Sequence, residues 1–338
     1  MVGADGSLPL PWLAEPLAQA LATQRGHAVL VHGPQGIGQF ELALCLAQAW
    51  LCETPGGARK PCGHCASCRL VRARSHPDLL VLIPEALREA LGWEEDGADG
   101  GSEKASKAKP SKDVKVEAVR GAVAFSQSTS ARGVAKVVVV HPAERMNAIS
   151  ANTLLKTLEE PPGLARFVLS SGAPEALLPT IRSRCQAVPM VLPTAEAASA
   201  WLAGQGVAQP EVLLRACGGQ PLEALDWSRQ GVDAALWSNL PRLVSRAESA
   251  AFTGWPLARL VDALQKLCHD AACTAVGAAP RYFAAEALPR RGDLARLTAW
   301  ARELRRFAAS AEHPWNAGLA LDSLLQQGRA ALSVNSPA

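Results

Sequence analysis

Val137-Val138-Val139-Val140-His141-Pro142, then a helical run closing in Leu154-Leu155-Lys156-Thr157-Leu158-Glu159-Glu160-Pro161-Pro162, then Phe167-Val168-Leu169-Ser170 and Ser183-Arg184-Cys185, is the stretch that decides the fold. Four consecutive valines make a short, wholly apolar strand of the kind buried inside a parallel sheet. Ala151, Leu154, Leu155 and Leu158 share one helical face, and Pro161 ends that helix by keeping Glu160 out of the α region. A second apolar strand follows at Phe167. Strand, helix, strand in this order predicts an α/β unit with parallel strands.

Upstream, Ala28-Val29-Leu30-Val31-His32 reads as another strand and runs into Gly33-Pro34-Gln35-Gly36-Ile37-Gly38-Gln39-Phe40. A phosphate-cradling (Walker A) loop needs a strand, a glycine-rich turn, a Lys against the phosphate charge, a Ser or Thr for magnesium, and a helix. Here Gly33, Gly38 and a helical pattern through Ala43, Leu46, Ala47, Trp50 and Leu51 are present, but the Lys position holds Gln39 and the hydroxyl position Phe40. Gln39 carries no charge, and Phe40 puts an apolar ring where a metal-holding oxygen belongs. The loop reads as a strand-to-helix turn kept for packing, with no nucleotide expected in it.

Beyond that helix, Cys52, Cys62, Cys65 and Cys68 form a Cys-x9-Cys-x2-Cys-x2-Cys set. Four thiolates at such close spacing suit a tetrahedral zinc closed on all sides, a structural site rather than a catalytic one. An iron–sulfur cluster also takes four thiolates. Nothing else in the chain suggests redox chemistry, so zinc is the expected ion. His64 lies inside the loop and reads as a solvated residue. Leu79 to Ile83 is a further buried strand. Residues 92–113 then alternate Gly, Ser, Glu, Asp and Lys with hardly any apolar side chain, the composition of a disordered insertion.

The block from Asn152 to Pro162, followed by Ser183-Arg184-Cys185, resembles the AAA+ clamp-loader family of bacterial DNA polymerase III. The resemblance implies a RecA-like parallel sheet domain carrying a zinc module, a small helical lid domain and an all-α collar domain. It implies that an acidic pair for magnesium should follow the valine strand, where this chain has His141 and Pro142. Neither residue offers the hard oxygen that magnesium wants. Ser170 or Ser171 stands where the family keeps a polar nucleotide sensor, and Leu222, in Gly218-Gly219-Gln220-Pro221-Leu222, where active members keep a nucleotide-touching arginine. Arg184 matches the family's arginine finger, which is aimed at the ATP of a neighbouring subunit. The implied function is a non-hydrolysing subunit of the sliding-clamp loader in DNA replication, without intrinsic ATPase activity. Its implied partners are the motor ATPase subunits, which bind the ATP, the clamp-opening delta subunit and, through a hetero-pentamer, the clamp and primed DNA. The zinc module falls where part of this family carries one.

With 338 residues, 49% of them hydrophobic and 19% charged, the chain has the composition of a globular protein of two or three domains. No apolar run approaches the roughly 20 residues of a membrane span. Met1 to Pro11 lacks a basic start with an apolar core, so no secretory signal is read, and a cytoplasmic location is expected. A net charge of +3 does not by itself announce a nucleic-acid binder. The expected boundaries are a core at 1–192 with the zinc module at 52–68, a lid at 193–235, a collar at 236–332 and a frayed tail at 333–338. After Pro193 the chain is helical: Thr194 caps a helix bearing Ala198, Trp201 and Leu202. Later stripes follow at Leu257, Leu260, Val261 and Leu264, and at Leu294, Leu297, Trp300, Ala301 and Leu304. Two other readings stay open. An active ATPase needs replacements for the Lys, the hydroxyl and the acidic pair together. A zinc-dependent nucleic-acid-binding module would rely on Arg59, Lys60, Arg69, Arg72 and Arg74 around the cysteines.

Overall fold

The structure, a computed structural model, describes residues 1–55, 60–93, 110–289, 292–309 and 315–333. The chain divides into two compact units, Met1–Pro193 and Thr194–Ala338.

In the first unit five parallel strands, β1 (Ala28–His32), β2 (Leu79–Leu82), β3 (Lys136–Val140), β4 (Ala165–Ser171) and β5 (Gln186–Pro189), lie in the order β2-β3-β4-β1-β5. The valine run is β3, buried at every residue and flanked on both edges. The expected strands at Ala28, Leu79 and Phe167 are present as β1, β2 and β4. Around the sheet lie helices α1 (Ala14–Thr23), α2 (Gln39–Leu51), α3 (Ala66–Arg72), α4 (Glu85–Arg88), α5 (Val116–Gln127), α6 (Ala148–Glu159) and α7 (Pro179–Arg182). Asn147 starts α6 by accepting from Ser150 N at 2.8 Å, and the helix ends ahead of Pro161 as its sequence demands. Leu154 and Leu158 carry α6 into a core shared with Val138, Val140, Phe167 and Leu169.

Strand order puts β4 between β3 and β1, so the loops leaving the carboxyl ends of these three strands meet at one edge of the sheet, where open α/β sheets hold their ligands. Gly33 sits there because a Cβ would stand 2.4 Å from Met190 O. Gly38, at φ +102°, turns the chain into α2 in a conformation that other residues rarely adopt. Most of the expected insertion at 92–113 lies outside the described residues. At its margins Trp93 packs on the fold, and Ser111 N donates to Glu85 Oε2 at 3.1 Å.

The second unit is helical: α8 (Ala195–Gly204), α9 (Pro210–Ala216), α10 (Pro221–Arg229), α11 (Ala234–Ser245), α12 (Leu257–Ala275), α13 (Leu294–Ala309) and α14 (Ala317–Leu332). Thr194 is the N-cap of α8, accepting from Ala197 N at 3.3 Å. One hydrophobic core runs from Ala198 to Leu332, so the stretches expected as lid and collar share packing, with Trp237 stacked on Phe283 at 4.5 Å. Leu294, placed in an apolar stripe by its spacing, is 49% exposed because it opens α13, one turn before Leu297 and Trp300 enter the core. Asp270 is fully buried on α12 and accepts the backbone N–H groups of Arg281, Tyr282 and Phe283, which ties the following loop to the helix. The expected frayed tail lies, beyond Ser333, outside the described residues. No helix of the described residues is long and apolar enough to cross a membrane.

Candidate functional site

At the carboxyl edge of the sheet the positions that would hold nucleotide and magnesium are packed against one another. Gln39 is buried, and its side-chain amide donates to Gly33 O at 2.9 Å and to Pro34 O, spending its hydrogens on the loop's own carbonyls. Trp12 Nε1 braces the same loop through Ile37 O at 2.7 Å. The buried ring of Phe40 stacks on the His141 imidazole with centroids 4.7 Å apart and meets Trp93 edge-on at 6.0 Å. His141 Nδ1 in turn lies 2.9 Å from Ser170 Oγ. Phe40, His141 and Ser170 therefore form one continuous set of contacts, ring on ring and then ring to hydroxyl. Ser171 Oγ accepts from Ala173 N at 3.1 Å and serves the turn, and Glu144 Oε1 accepts from Gly172 N at 3.0 Å.

Burial pushes the His141 pKa down from 6.5 to about 4, so the imidazole is neutral at physiological pH and cannot substitute for a carboxylate. The unfolded chain takes up this proton first. His141 therefore contributes stability that is complete above about pH 6.5 and is lost as the pH falls through about 4. An NMR titration is expected to place its midpoint near 4, and urea unfolding to show an acid-side loss that His141→Phe removes. A midpoint near the ordinary value of 6.5 would mean that the stack is open to water.

Cys52 follows the last residue of α2, at the end of that helix remote from Gln39; Cys62 and Cys65 lie on the turn into α3, and Cys68 lies in the first turn of α3. All four sulfurs fall within 4.8 Å of one another. Cys52 and Cys65 sulfurs are 4.0 Å apart and those of Cys62 and Cys68 3.9 Å. A tetrahedron with metal–sulfur bonds of about 2.3 Å requires edges of about 3.8 Å, so the donor set fits a four-coordinate metal ion. Cys65 N donates to Cys62 Sγ at 3.3 Å and Cys68 N to Cys65 Sγ at 3.4 Å, the second contact capping α3. His64 turns its Nδ1 to Cys62 O at 2.9 Å and lies outside the cluster.

A buried trio behind the cluster has no signature in the sequence. Ser67, His76 and Asp78 have the composition of a hydrolytic triad, but Asp78 N donates to His76 Nδ1 at 3.0 Å. The imidazole proton then sits on Nε2 and is given to Ser67 Oγ at 2.5 Å, so His76 cannot act as base toward that hydroxyl. The Asp78 carboxylate instead takes the amides of Ala131 and Arg132 and pairs with Lys136 Nζ at 3.1 Å. The trio is a brace between α3, β2 and the loop before β3.

Arg184 follows α7 on the surface. Its Nε donates to Glu159 Oε1 at 2.5 Å, Nη2 pairs with the same oxygen, and Nη1 donates to Thr180 O at 2.9 Å. Cys185 is held protonated by burial, which raises its pKa to about 12, and it packs as a small apolar residue.

A profile of the family described as DNA polymerase III, delta subunit, matches residues 12–193. DNA polymerase III subunit delta' of Escherichia coli is 32% identical over 278 residues, covering 76% of this chain and 76% of that protein. The chain belongs to the DNA polymerase III delta-prime family. Subunit delta' of Pseudomonas aeruginosa is 40% identical over 227 residues, 64% of this chain and 62% of that protein, so the chain spans less than two thirds of this relative's length. Among solved structures, a DNA polymerase III gamma subunit-related protein of Thermotoga maritima covers 94% of this chain and is covered over 99% of its own, at 19% identity and a TM-score of 0.47. The first unit has a five-stranded parallel sheet with helices around it, and the stretch matched by the family profile contains the loop at Gly33 to Phe40, the four cysteines, His141, Pro142 and Arg184. Leu222 lies beyond it, half-buried on the second residue of α10.

Proposed function

We propose that the chain is the non-hydrolysing delta-prime subunit of a bacterial sliding-clamp loader, which supplies Arg184 in trans to the ATP site of a neighbouring motor subunit. The observation that carries the first half is the stack of Phe40 on His141, with His141 hydrogen-bonded to Ser170 and Gln39 folded onto its own loop. Nucleotide and magnesium would have to displace buried, mutually packed side chains, and neither His141 nor Pro142 offers magnesium an oxygen from its side chain. Support for the second half is the match of Ser183-Arg184-Cys185 to the family motif and the surface position of the guanidinium. A guanidinium is always charged and grips a γ-phosphate by two hydrogen bonds as charge redistributes in the transition state.

On this reading the partners are the motor ATPase subunits, the delta subunit and, through a hetero-pentamer, the clamp and primed DNA. The second unit supplies lid and collar. Cys52, Cys62, Cys65 and Cys68 hold a structural zinc, whose chemistry is to fix the fold of the segment that they span. A nucleic-acid-binding zinc module has less support. Of the basic residues around the cysteines, Arg72 is turned to Gly63 O at 3.4 Å and Arg74 lies over the Trp93 ring at 5.0 Å.

Titration calorimetry of the zinc-loaded chain with Mg-ATP tests the proposal without a partner. No heat is expected up to millimolar nucleotide, the weak end of ordinary ligand affinities. Magnesium-dependent binding would overturn the non-hydrolysing assignment and make the chain a candidate motor.

A further inference from the structure

Arg184 is held from two sides, and the way its hydrogens are divided points to a role for the residue that holds it. A guanidinium has five N–H donors in a rigid planar fork. The side edge, Nε with Nη2, is directed at one oxygen of Glu159, while Nη1 reaches the Thr180 carbonyl. Hydrogens remain on Nη1 and Nη2, the two nitrogens of the outer edge, and the one other contact there among the described residues, Ser183 Oγ at 3.4 Å from Nη1, is long and readily exchanged. Both holding groups are fixed to the core. Glu159 is the last residue of α6 and follows the buried Leu158, and Thr180 precedes the fully buried Ile181 on α7.

We propose that Glu159 is the positioning residue of the arginine finger: it takes the side edge of Arg184 so that the outer edge is presented, already oriented, to the γ-phosphate of a nucleoside triphosphate on the neighbouring subunit. This inference rests on the finger reading given above. An arginine loose on a surface must give up its rotamer freedom as it grips a phosphate, whereas one already pinned by a carboxylate and a carbonyl has lost that freedom beforehand. Because the pair is exposed, with side chains 32% and 46% accessible, it adds little to the stability of the fold. Its removal should therefore be felt in the reaction and not in folding.

The test uses the chain assembled with its partner subunits, with every ATP site disabled except the one adjoining this chain, and reads single-turnover hydrolysis of Mg-ATP. Glu159→Ala is expected to slow turnover about tenfold, within the roughly hundredfold that a misplacement of one ångström costs. The ATP concentration for half-maximal rate and the melting midpoint of the chain should not move. Glu159→Gln, which keeps the shape without the charge, should fall between wild type and alanine. The double variant Glu159→Ala with Arg184→Ala should be no slower than Arg184→Ala alone, because the carboxylate acts only through the guanidinium. If Arg184→Ala slows turnover but Glu159→Ala leaves it unchanged, or the two losses multiply, the positioning role is overturned and the finger stands. A faster Glu159→Ala would make the pair a latch that phosphate must break, which also overturns it. An Arg184→Ala chain that turns over normally removes the finger, and the inference with it.

Discussion

Arg184→Ala is expected to leave the chain folded and assembled with its ATPase partners while reducing DNA-stimulated ATP turnover at the adjoining site by about 10³-fold, the lower end of what arginine fingers contribute in GTPases. Stability should change by no more than about 1 kcal/mol, because the ion pair to Glu159 is an exposed one. Arg184→Lys is not expected to rescue the rate. A lysine ammonium is a point charge on a flexible stem and cannot bond Glu159, Thr180 O and a phosphate in one plane. The measurement is single-turnover hydrolysis by the reconstituted assembly, with assembly itself checked by size-exclusion chromatography. Loss of assembly in the alanine variant would place Arg184 in the interface as a structural ion pair. Normal turnover in an intact assembly would leave Ser183-Arg184-Cys185 as no more than the end of α7.

The valine strand, the helix closed by Pro161 and the cap at Thr194 are legible in the sequence because they follow from local rules of burial period and backbone geometry, and they lie where those rules put them. That Gln39, Phe40 and His141 are unlike a working nucleotide site is also readable residue by residue. Their packing against one another is not, because it depends on β4 lying between β1 and β3, and the side chains that meet belong to elements far apart in the chain. Trp93 is hidden for a compositional reason: it stands at the margin of a stretch rich in Gly, Asp, Ser and Lys, yet it covers Phe40 and receives Arg74 at 5.0 Å. The burial of Asp78 and Asp270 has no mark in the sequence, because backbone amides of loops satisfy both carboxylates and no spacing rule connects those amides to them. Glu159 is hidden in the same way. In the sequence it is one of two glutamates before a proline pair, and only the fold brings it to Arg184.

Removing the metal is expected to have the largest effect on stability, and to confine it to one region. The four sulfurs already stand close to the spacing of a zinc tetrahedron, and structural zinc of this kind contributes on the order of 10 kcal/mol to the segment that it closes. The chain as purified should hold one zinc, and Cys65→Ser should lose it together with the sulfur that caps α3 through Cys68 N. Unfolding should spread from the turn at Cys62 to the surfaces packed on it. Gly63 lies so close to Gly3 that a Cβ would stand 1.9 Å from Gly3 O, Ser67 is bonded to His76, and Glu53 pairs with Arg132 at 2.6 Å. A strong chelator should accordingly expose the stretch from Cys52 to His76 to proteolysis and lower the melting midpoint. The stack at Phe40 lies about 20 Å away along the 13-residue helix α2 and should persist, so His141 should titrate as before. Iron and visible colour in the purified protein would replace zinc by an iron–sulfur cluster. A chain that carries no metal and melts unchanged after Cys65→Ser would reduce the cluster to four neighbouring thiols. If instead chelation also moved the His141 midpoint, the cysteine module would be coupled to the nucleotide-site edge through α2, and the two ends of that helix could no longer be treated as independent.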